Sequence, residues 1–239
     1  MDTACISEAG GREKNQDAAE YEELPKGGCW AVADGLGGHD GGEIASALAT
    51  QTLLESFRKA PKIGRDAIEE YVRAAHRAVQ RGQGERPKQM RATLVALFRS
   101  GTEVRWAHVG DSRLYHFRSG EIHFQTKDHS VPQTLVEAGE IARDEIRFHE
   151  DRNRLLQAVG KEGDVRTELG PEDISLECGD AFLLCTDGFW EYVTEETMKA
   201  ALGQTSGAEE WLAKMEETLR HRAAEEYDNY TAMGLIING

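Results

Sequence analysis

Two periods of apolar and polar positions follow one another along this chain, and their changeovers mark its elements. Residues 2 to 8 alternate loosely and predict a first strand. Residues 18 to 24 and 28 to 33 flank Pro25-Lys26-Gly27 in the pattern of a hairpin. After a glycine-rich stretch the spacing becomes helical. Ala45, Ala49, Leu53 and Phe57, with Ile44 and Leu48 beside them, predict a helix over about 42–59, which Pro61 ends. Ile68, Val72, Ala75 and Val79 predict a second over about 65–81, followed by a polar loop over 82–88. Short strands then read over 92–99, 103–109, 113–118 and 121–125, with Ser119-Gly120 as a hairpin turn. Strands in series without helices between them point to antiparallel sheet. Residues 126 to 160 are mostly polar, with a short helix at about 131–139. Strands at 165–169, 173–176 and 180–185 come next. Two helices follow, about 195–202 with Thr194 as N-cap and about 208–222 with Trp211, Leu212, Met215 and Leu219 on one stripe. A last strand runs over 231–237.

Composition narrows this picture. A chain of 239 residues, 39% hydrophobic and 7% aromatic, can bury an ordinary globular core. It has no internal repeat, no low-complexity stretch and no linker long enough to divide it, so one domain over 1–239 is expected, with 126–160 as an insertion beside its site. No run approaches the roughly 18 apolar residues of a membrane helix. The start, MDTACISEAGG, lacks a basic region followed by a hydrophobic one, and a cytoplasmic protein is expected. Cys5, Cys29, Cys178 and Cys185 show no CxxC spacing and are expected as reduced thiols, without structural zinc. A net charge of -15 opposes nucleic-acid binding. Glu195-Glu196, Glu209-Glu210 and Glu216-Glu217 account for part of it as solvent-facing helix surface.

The remaining acidity carries the chemistry. Cys29 to Ala33 runs apolar into Asp34-Gly35, and five of the eight residues 35–42 are glycine, which implies a job for the backbone. Trp106 to Val109 runs into Gly110-Asp111, Phe182 to Cys185 into Thr186-Asp187-Gly188, and Asp228-Asn229 precedes the apolar run to Ile237. Four strand-like runs therefore each place an aspartate at one end. If those ends meet, the carboxylates need cations to stay ionised side by side. Oxygen ligands without thiolate point to magnesium or manganese. No HCx5R and no GxxxxGK[ST] motif is present, which sets aside a thiophosphate intermediate and a P-loop NTPase.

In this order, Arg12-Glu13-Lys14-Asn15-Gln16-Asp17, Asp34-Gly35-Leu36-Gly37-Gly38, Ala92-Thr93-Leu94, Gly110-Asp111-Ser112-Arg113, Asp128-His129-Ser130, Thr186-Asp187-Gly188 and Asp228-Asn229 resemble the PPM-type (type 2C) metal-dependent serine/threonine protein phosphatases, of the short bacterial kind. The resemblance implies an α+β fold, a four-layer αββα sandwich of two antiparallel sheets flanked by helix pairs, with the metal site at one end of the sheets. It implies two Mn2+ or Mg2+ ions held by Asp34, the Gly35 carbonyl, Asp187 and Asp228, with Asp17 acting nearby through water. Asp111 would hold a third, weaker ion. A hydroxide bridging the first two would attack phosphorus directly, with Arg12 binding the phosphate. Gly35 would let the backbone turn back so that Asp34 bridges the ions. Residues 126 to 160 would be a flap. The substrates would be phosphoserine and phosphothreonine proteins, opposing a Ser/Thr kinase, in a monomer that binds neither nucleic acid nor membrane. One departure is Leu36, where many members carry a histidine thought to protonate the leaving group; a metal-bound water, His39 or His129 remain as candidates. Two other readings stand beside this one: a catalytically silent module that docks a kinase or phosphoprotein, and a hydrolase of small phosphoesters.

Overall fold

Two antiparallel sheets face each other, and helices cover both outer faces. The computed structural model describes residues 1–37, 41–84, 90–171, 174–223 and 226–238. In chain order the elements are β1 (Asp2–Glu8), β2 (Asp17–Leu24), β3 (Gly27–Leu36), α1 (Gly41–Lys59), α2 (Arg65–Gly82), β4 (Arg91–Ala92), β5 (Leu94–Ser100), β6 (Glu103–Val109), β7 (Arg113–Arg118), β8 (Glu121–Gln125), α3 (Val131–Ala138), a 3-10 turn (Arg143–Phe148), β9 (Glu168–Leu169), β10 (Ile174–Ser175), β11 (Ala181–Cys185), α4 (Asp187–Trp190), α5 (Glu195–Leu202), α6 (Ala208–Arg222) and β12 (Tyr230–Ile236).

One sheet has the order β1-β12-β11-β7-β8. The other runs β10-β6-β5-β3-β2, with β4 on β3 and β9 on β6. Alternation along each strand sends its side chains to two different cores. In β3, Cys29, Ala31 and Ala33 face α1 and α2, where Ala45, Ala49, Leu53, Phe57, Ile68, Val72 and Val79 close over them. Trp30 and Val32 face inward and meet Phe182, Leu184, Met233 and Leu235 of the opposite sheet. On the far side Leu183 and Cys185 pack against Trp190, Trp211, Met215 and Leu219. These three apolar layers are those of an αββα sandwich.

The helix stripes read in the sequence are the buried ones, apart from Ile44, which is 38% exposed on the rim of α1. Thr194 caps α5, accepting from the Thr197 N–H at 3.4 Å. Ser119 (φ 54°) and Gly120 (φ 80°) have the paired positive φ of a primed hairpin turn.

Several boundaries differ from the sequence reading. The strand expected over 28–33 continues to Leu36, because Gly35 and Leu36 pair with Ala92 and Arg91. The run over 92–99 is broken at Thr93, whose N–H bonds the Asp34 carbonyl while its side chain turns toward Ser112. The strand expected over 165–169 keeps only Glu168 and Leu169, opposite His108 and Ala107. Ile174 and Ser175 form the next, and residues 172 and 173 lie outside the described ones. Residues 126 to 160 leave the sheets and return beside their point of departure. Ser130 bridges Leu155, the Val131 N–H reaches the Arg154 carbonyl at 3.0 Å, and the Leu156 N–H reaches the His129 carbonyl at 2.8 Å.

Candidate active site

Antiparallel pairing explains why aspartates far apart in the chain meet. β11 lies between β12 and β7, with Cys185 opposite both Ala232 and Arg113. The exit of β11 therefore sits beside the entry of β12 and the entry of β7. Those ends carry Asp187, Asp228 and Asp111. On the facing sheet, β2 and β3 pair with Asp17 directly opposite Asp34. The two groups close on one cleft of ≈ 460 Å³, lined by Arg12, Asp34, Gly35, Asp111, Asp187 and Asp228 among others.

Cross-sheet hydrogen bonds hold the groups in place. The Asp34 N–H donates to Thr93 Oγ1 at 2.8 Å, and that hydroxyl lies 2.6 Å from Ser112 Oγ. Thr186 Oγ1 donates to Asp17 Oδ2 at 2.8 Å. Asp187 and Asp228 each accept the N–H of the following residue, at 2.7 and 2.9 Å. Asn229 staples the loop that carries Arg12. Its Oδ1 accepts from the Gln16 N–H, and its Nδ2 donates to the Ala9 and Lys14 carbonyls, all at 2.8 Å. Arg12 projects from that loop and pairs with Asp228 at 3.2 Å.

Gly35 is not among the described glycines with positive φ. The expectation that it lets the chain turn back is therefore corrected. The reason for glycine is close approach: a Cβ here would run into the backbone oxygens of Gly42 and Gln16. Strand β3, the start of α1 and the Arg12 loop meet at this point, which brings the Gly35 backbone to the cleft wall.

The electrostatics call for cations. Burial, and then the charges of Asp187, Asp17 and Asp111, push the Asp34 carboxyl well above the ordinary range. Burial, Asp111 and Glu191 do the same to Asp187. Asp111 rises to about 7 through burial and Asp128, although Arg113 opposes this. Asp17, raised to about 6 mainly by burial, keeps a buried Oδ1 with no hydrogen-bond partner. It stands behind Asp34 and does not line the cleft. A ring of oxygen donors that destabilise one another's charge, with one buried oxygen unpaired, fits hard divalent cations.

Among the described residues, the cluster whose ligand atoms all lie within 4.8 Å of one another is a different one: His108, His129 and Glu168. The two imidazoles stack with their planes 20° apart. In-plane lone pairs of near-parallel rings run side by side and do not converge on one ion. Both His129 nitrogens are also engaged, Nδ1 by the Gly110 N–H at 3.2 Å and Nε2 by Glu168 at 3.4 Å. His129 does not line the cleft, so it is removed as a proton donor to a leaving group. Leu36 lines the cleft, and His39 lies outside the described residues.

Other positioning residues belong to the same motifs, with roles invisible in the sequence. Arg113 makes a buried bidentate pair with Asp128 at 2.8 and 2.7 Å, and its guanidinium lies 3.4 Å from the ring centre of Trp190. Trp190 Nε1 donates to the Asp111 carbonyl at 3.0 Å. Removing either partner of such a pair strands a charge, at a cost of about 3–5 kcal/mol. The motif spacings gave no signal of these contacts, since each depends on strands and loops brought together by folding.

The chain matches the family model described as Protein phosphatase 2C over residues 7–229. It is 33% identical to the serine/threonine phosphatase stp of Listeria monocytogenes over 178 residues, 72% of this chain and 70% of that protein. Its fold superposes on the PPM Ser-Thr phosphatase MsPP from Mycobacterium smegmatis, solved in complex with cacodylate, with a TM-score of 0.84 and 30% identity. That match covers 100% of this chain and 99% of the other. It superposes likewise on the catalytic domain of serine threonine protein phosphatase PstP, solved with two manganese ions, at a TM-score of 0.80 and 28% identity, covering 99% and 98%. The family match spans every strand end that brings a carboxylate to the cleft, and the chain belongs to the protein phosphatase 2C family of serine/threonine phosphatases.

Proposed function

We propose that this chain removes phosphate from phosphoserine and phosphothreonine of proteins by metal-dependent hydrolysis, opposing a Ser/Thr kinase. The observation that carries the reading is the convergence of Asp34, Asp187 and Asp228 on one cleft with Arg12 at its rim. Asp34, the Gly35 carbonyl, Asp187 and Asp228 would hold two Mn2+ or Mg2+ ions, Asp111 a third, and Asp17 would support Asp34 from behind. Bound there, such a pair supplies hydroxide near neutral pH by lowering the pKa of water. Arg12 would leave Asp228 and take two phosphate oxygens with its planar fork, offsetting charge as the P–O bond breaks. No described side chain at the cleft acts as nucleophile in this scheme. With Leu36 apolar and His129 turned away, water in the cleft and His39 remain as the candidate proton donors to the leaving oxygen.

The whole chain acts as one catalytic domain in this reading. Residues 126–160 form a flap, supported by Asn153 and Leu155, which reach the cleft from that segment. A monomer in the cytoplasm completes the proposal. Its support is four free cysteines, two of them exposed, which suits a reducing compartment. No helix among the described residues is long and apolar enough to cross a membrane.

The test is phosphate release from a phosphothreonine peptide with and without manganese, in wild type and Asp34→Asn. Wild type should turn over only with the metal, and the variant should lose at least about a thousandfold in kcat while keeping its circular dichroism spectrum. Wild-type turnover by the variant would sink the site assignment. Binding of the peptide without turnover by the wild type would favour the silent docking module.

A further inference from the structure

A second cleft, of ≈ 610 Å³, opens beside the catalytic one, and the chemistry above does not use it. Its walls include Arg147, Phe148, Arg152, Glu191, Tyr192 and Arg222. The two clefts are neighbours through the backbone. Arg152 precedes Asn153, which lines the catalytic cleft, and the Glu191 N–H bonds the carbonyl of Asp187 at 2.9 Å, one helical turn away.

The charge of this cleft runs against that of the molecule. The chain carries -15 overall, yet three arginines line these walls against two carboxylates that pair with them, Glu191 in the wall and Glu195 beside Arg147, which leaves Arg222 unneutralised by a carboxylate among the described residues. The arginines are fixed without being used up. Arg147 donates to Glu195 Oε2, Arg152 Nε to Glu191 Oε1 at 2.7 Å, and Arg222 Nη1 to the Tyr192 carbonyl at 2.9 Å. Arg147 is buried, but a guanidinium has five N–H donors, so the more exposed Arg152 and Arg222, each held by a single bond, still present others to an anion. Phe148 lines the same cleft and is 82% exposed, more than any other large apolar side chain among the described residues. An aromatic ring held in water beside fixed cations has the composition of a binding surface.

We propose that this cleft receives the polypeptide flanking the phosphoresidue, and that it selects substrates with an anionic group, a carboxylate or a second phosphate, next to an apolar side chain. The inference rests on the phosphatase reading, since its occupant is the substrate of that site. Continuity with the catalytic cleft gives the occupant its path, and the arginines give it its charge. The anion lies against the guanidinium forks and the apolar side chain covers Phe148. A hydrogen bond to a charged partner is stabilising by about 1.5–3 kcal/mol, which is tenfold or more in affinity.

The test uses three phosphothreonine peptides of equal length: one with neutral polar flanks, one with acidic residues and leucine on both flanks, and one with a second phosphothreonine. Each is assayed with manganese in wild type, Phe148→Ala and Arg222→Gln, and the readout is the ratio of kcat/KM between peptides within each protein. Wild type should prefer the acidic or the doubly phosphorylated peptide to the neutral one by about tenfold, mainly through KM. That preference should shrink as salt rises. Arg222→Gln should lower the ratio for both anionic peptides, and Phe148→Ala for the leucine-containing one. The two anionic arms separate a carboxylate from a phosphate as the preferred group. Equal kcat/KM for all three peptides in wild type, or ratios unchanged in both variants, would overturn the proposal alone. No metal-dependent release from any peptide or from p-nitrophenyl phosphate would overturn the phosphatase reading and this inference with it.

Discussion

Arg12 and Asp228 pair with each other at the cleft, and their pairing bears on how the site handles phosphate. The two side chains are 61% and 49% exposed, so the bond between them contributes little to stability. Arg12 is thus free to exchange a carboxylate for a phosphate at small cost. Arg12→Ala should leave the melting temperature within a degree or two of wild type and lower kcat/KM by about tenfold to a hundredfold, the worth of one or two charge-assisted bonds. Steady-state kinetics on one phosphothreonine peptide checks this, and an unchanged kcat/KM would remove Arg12 from the site. Arg12 could be singled out in the sequence only through the motif around it, because its partner lies 216 residues away.

At the scale of elements, one strand order does most of the work. With β11 between β12 and β7, the turn entering α4 lies against the turn entering β12, closely enough that only glycine fits at 188. A Cβ there would run into the Asn229 carbonyl oxygen. Gly188→Ala should therefore push apart the two segments that carry Asp187 and Asp228, and loosen Asn229 from the Arg12 loop. The expected cost is about 1–3 kcal/mol of stability, as for other overpacked positions, with a loss of manganese affinity beyond that of a surface substitution. Denaturant unfolding and manganese titration of the same variant measure the two effects. A variant as stable and as tight for manganese as wild type would show that the turns can move apart without harm.

Over the whole molecule, one contribution to acid stability comes from a buried histidine away from the cleft. His116 is fully buried in the sheet, stacked on Phe182 with ring centres 4.5 Å apart. Asp180 Oδ2 lies 3.4 Å from its Nε2, but Arg118 already holds that carboxylate at 2.9 and 2.7 Å. Burial outweighs Asp180 and pushes His116 down to about 4. An unfolded histidine titrates near 6.5, so below that pH the unfolded chain binds a proton that the folded one refuses. The contribution of neutral His116 is therefore complete above about pH 6.5 and drains away as pH falls toward 4. His116→Phe lacks this dependence. The stability of wild type minus that of the variant, measured by urea unfolding, should decline between pH 7.5 and 5. A difference that stays constant over this range would mean that His116 charges without penalty in the folded state.

The chain's own pattern determined the elements and their faces: the α1, α2 and α6 stripes, the Thr194 cap, the primed turn at Ser119-Gly120 and the buried run into Asp187 all follow from local spacing and backbone preference. It also set the candidate chemistry, since aspartates at strand ends without thiolate ligands allow few metals. The tertiary structure alone decided which ends meet, because strand order and register join residues tens to hundreds of positions apart. That is why the Thr93–Ser112 link, the Asn229 staple, the Arg113–Asp128 pair on Trp190 and the turning away of His129 could not be read locally. It is also why Gly35, whose need looked conformational in the sequence, is a matter of space: its neighbours Gly42 and Gln16 arrive only when sheet, helix and loop are assembled.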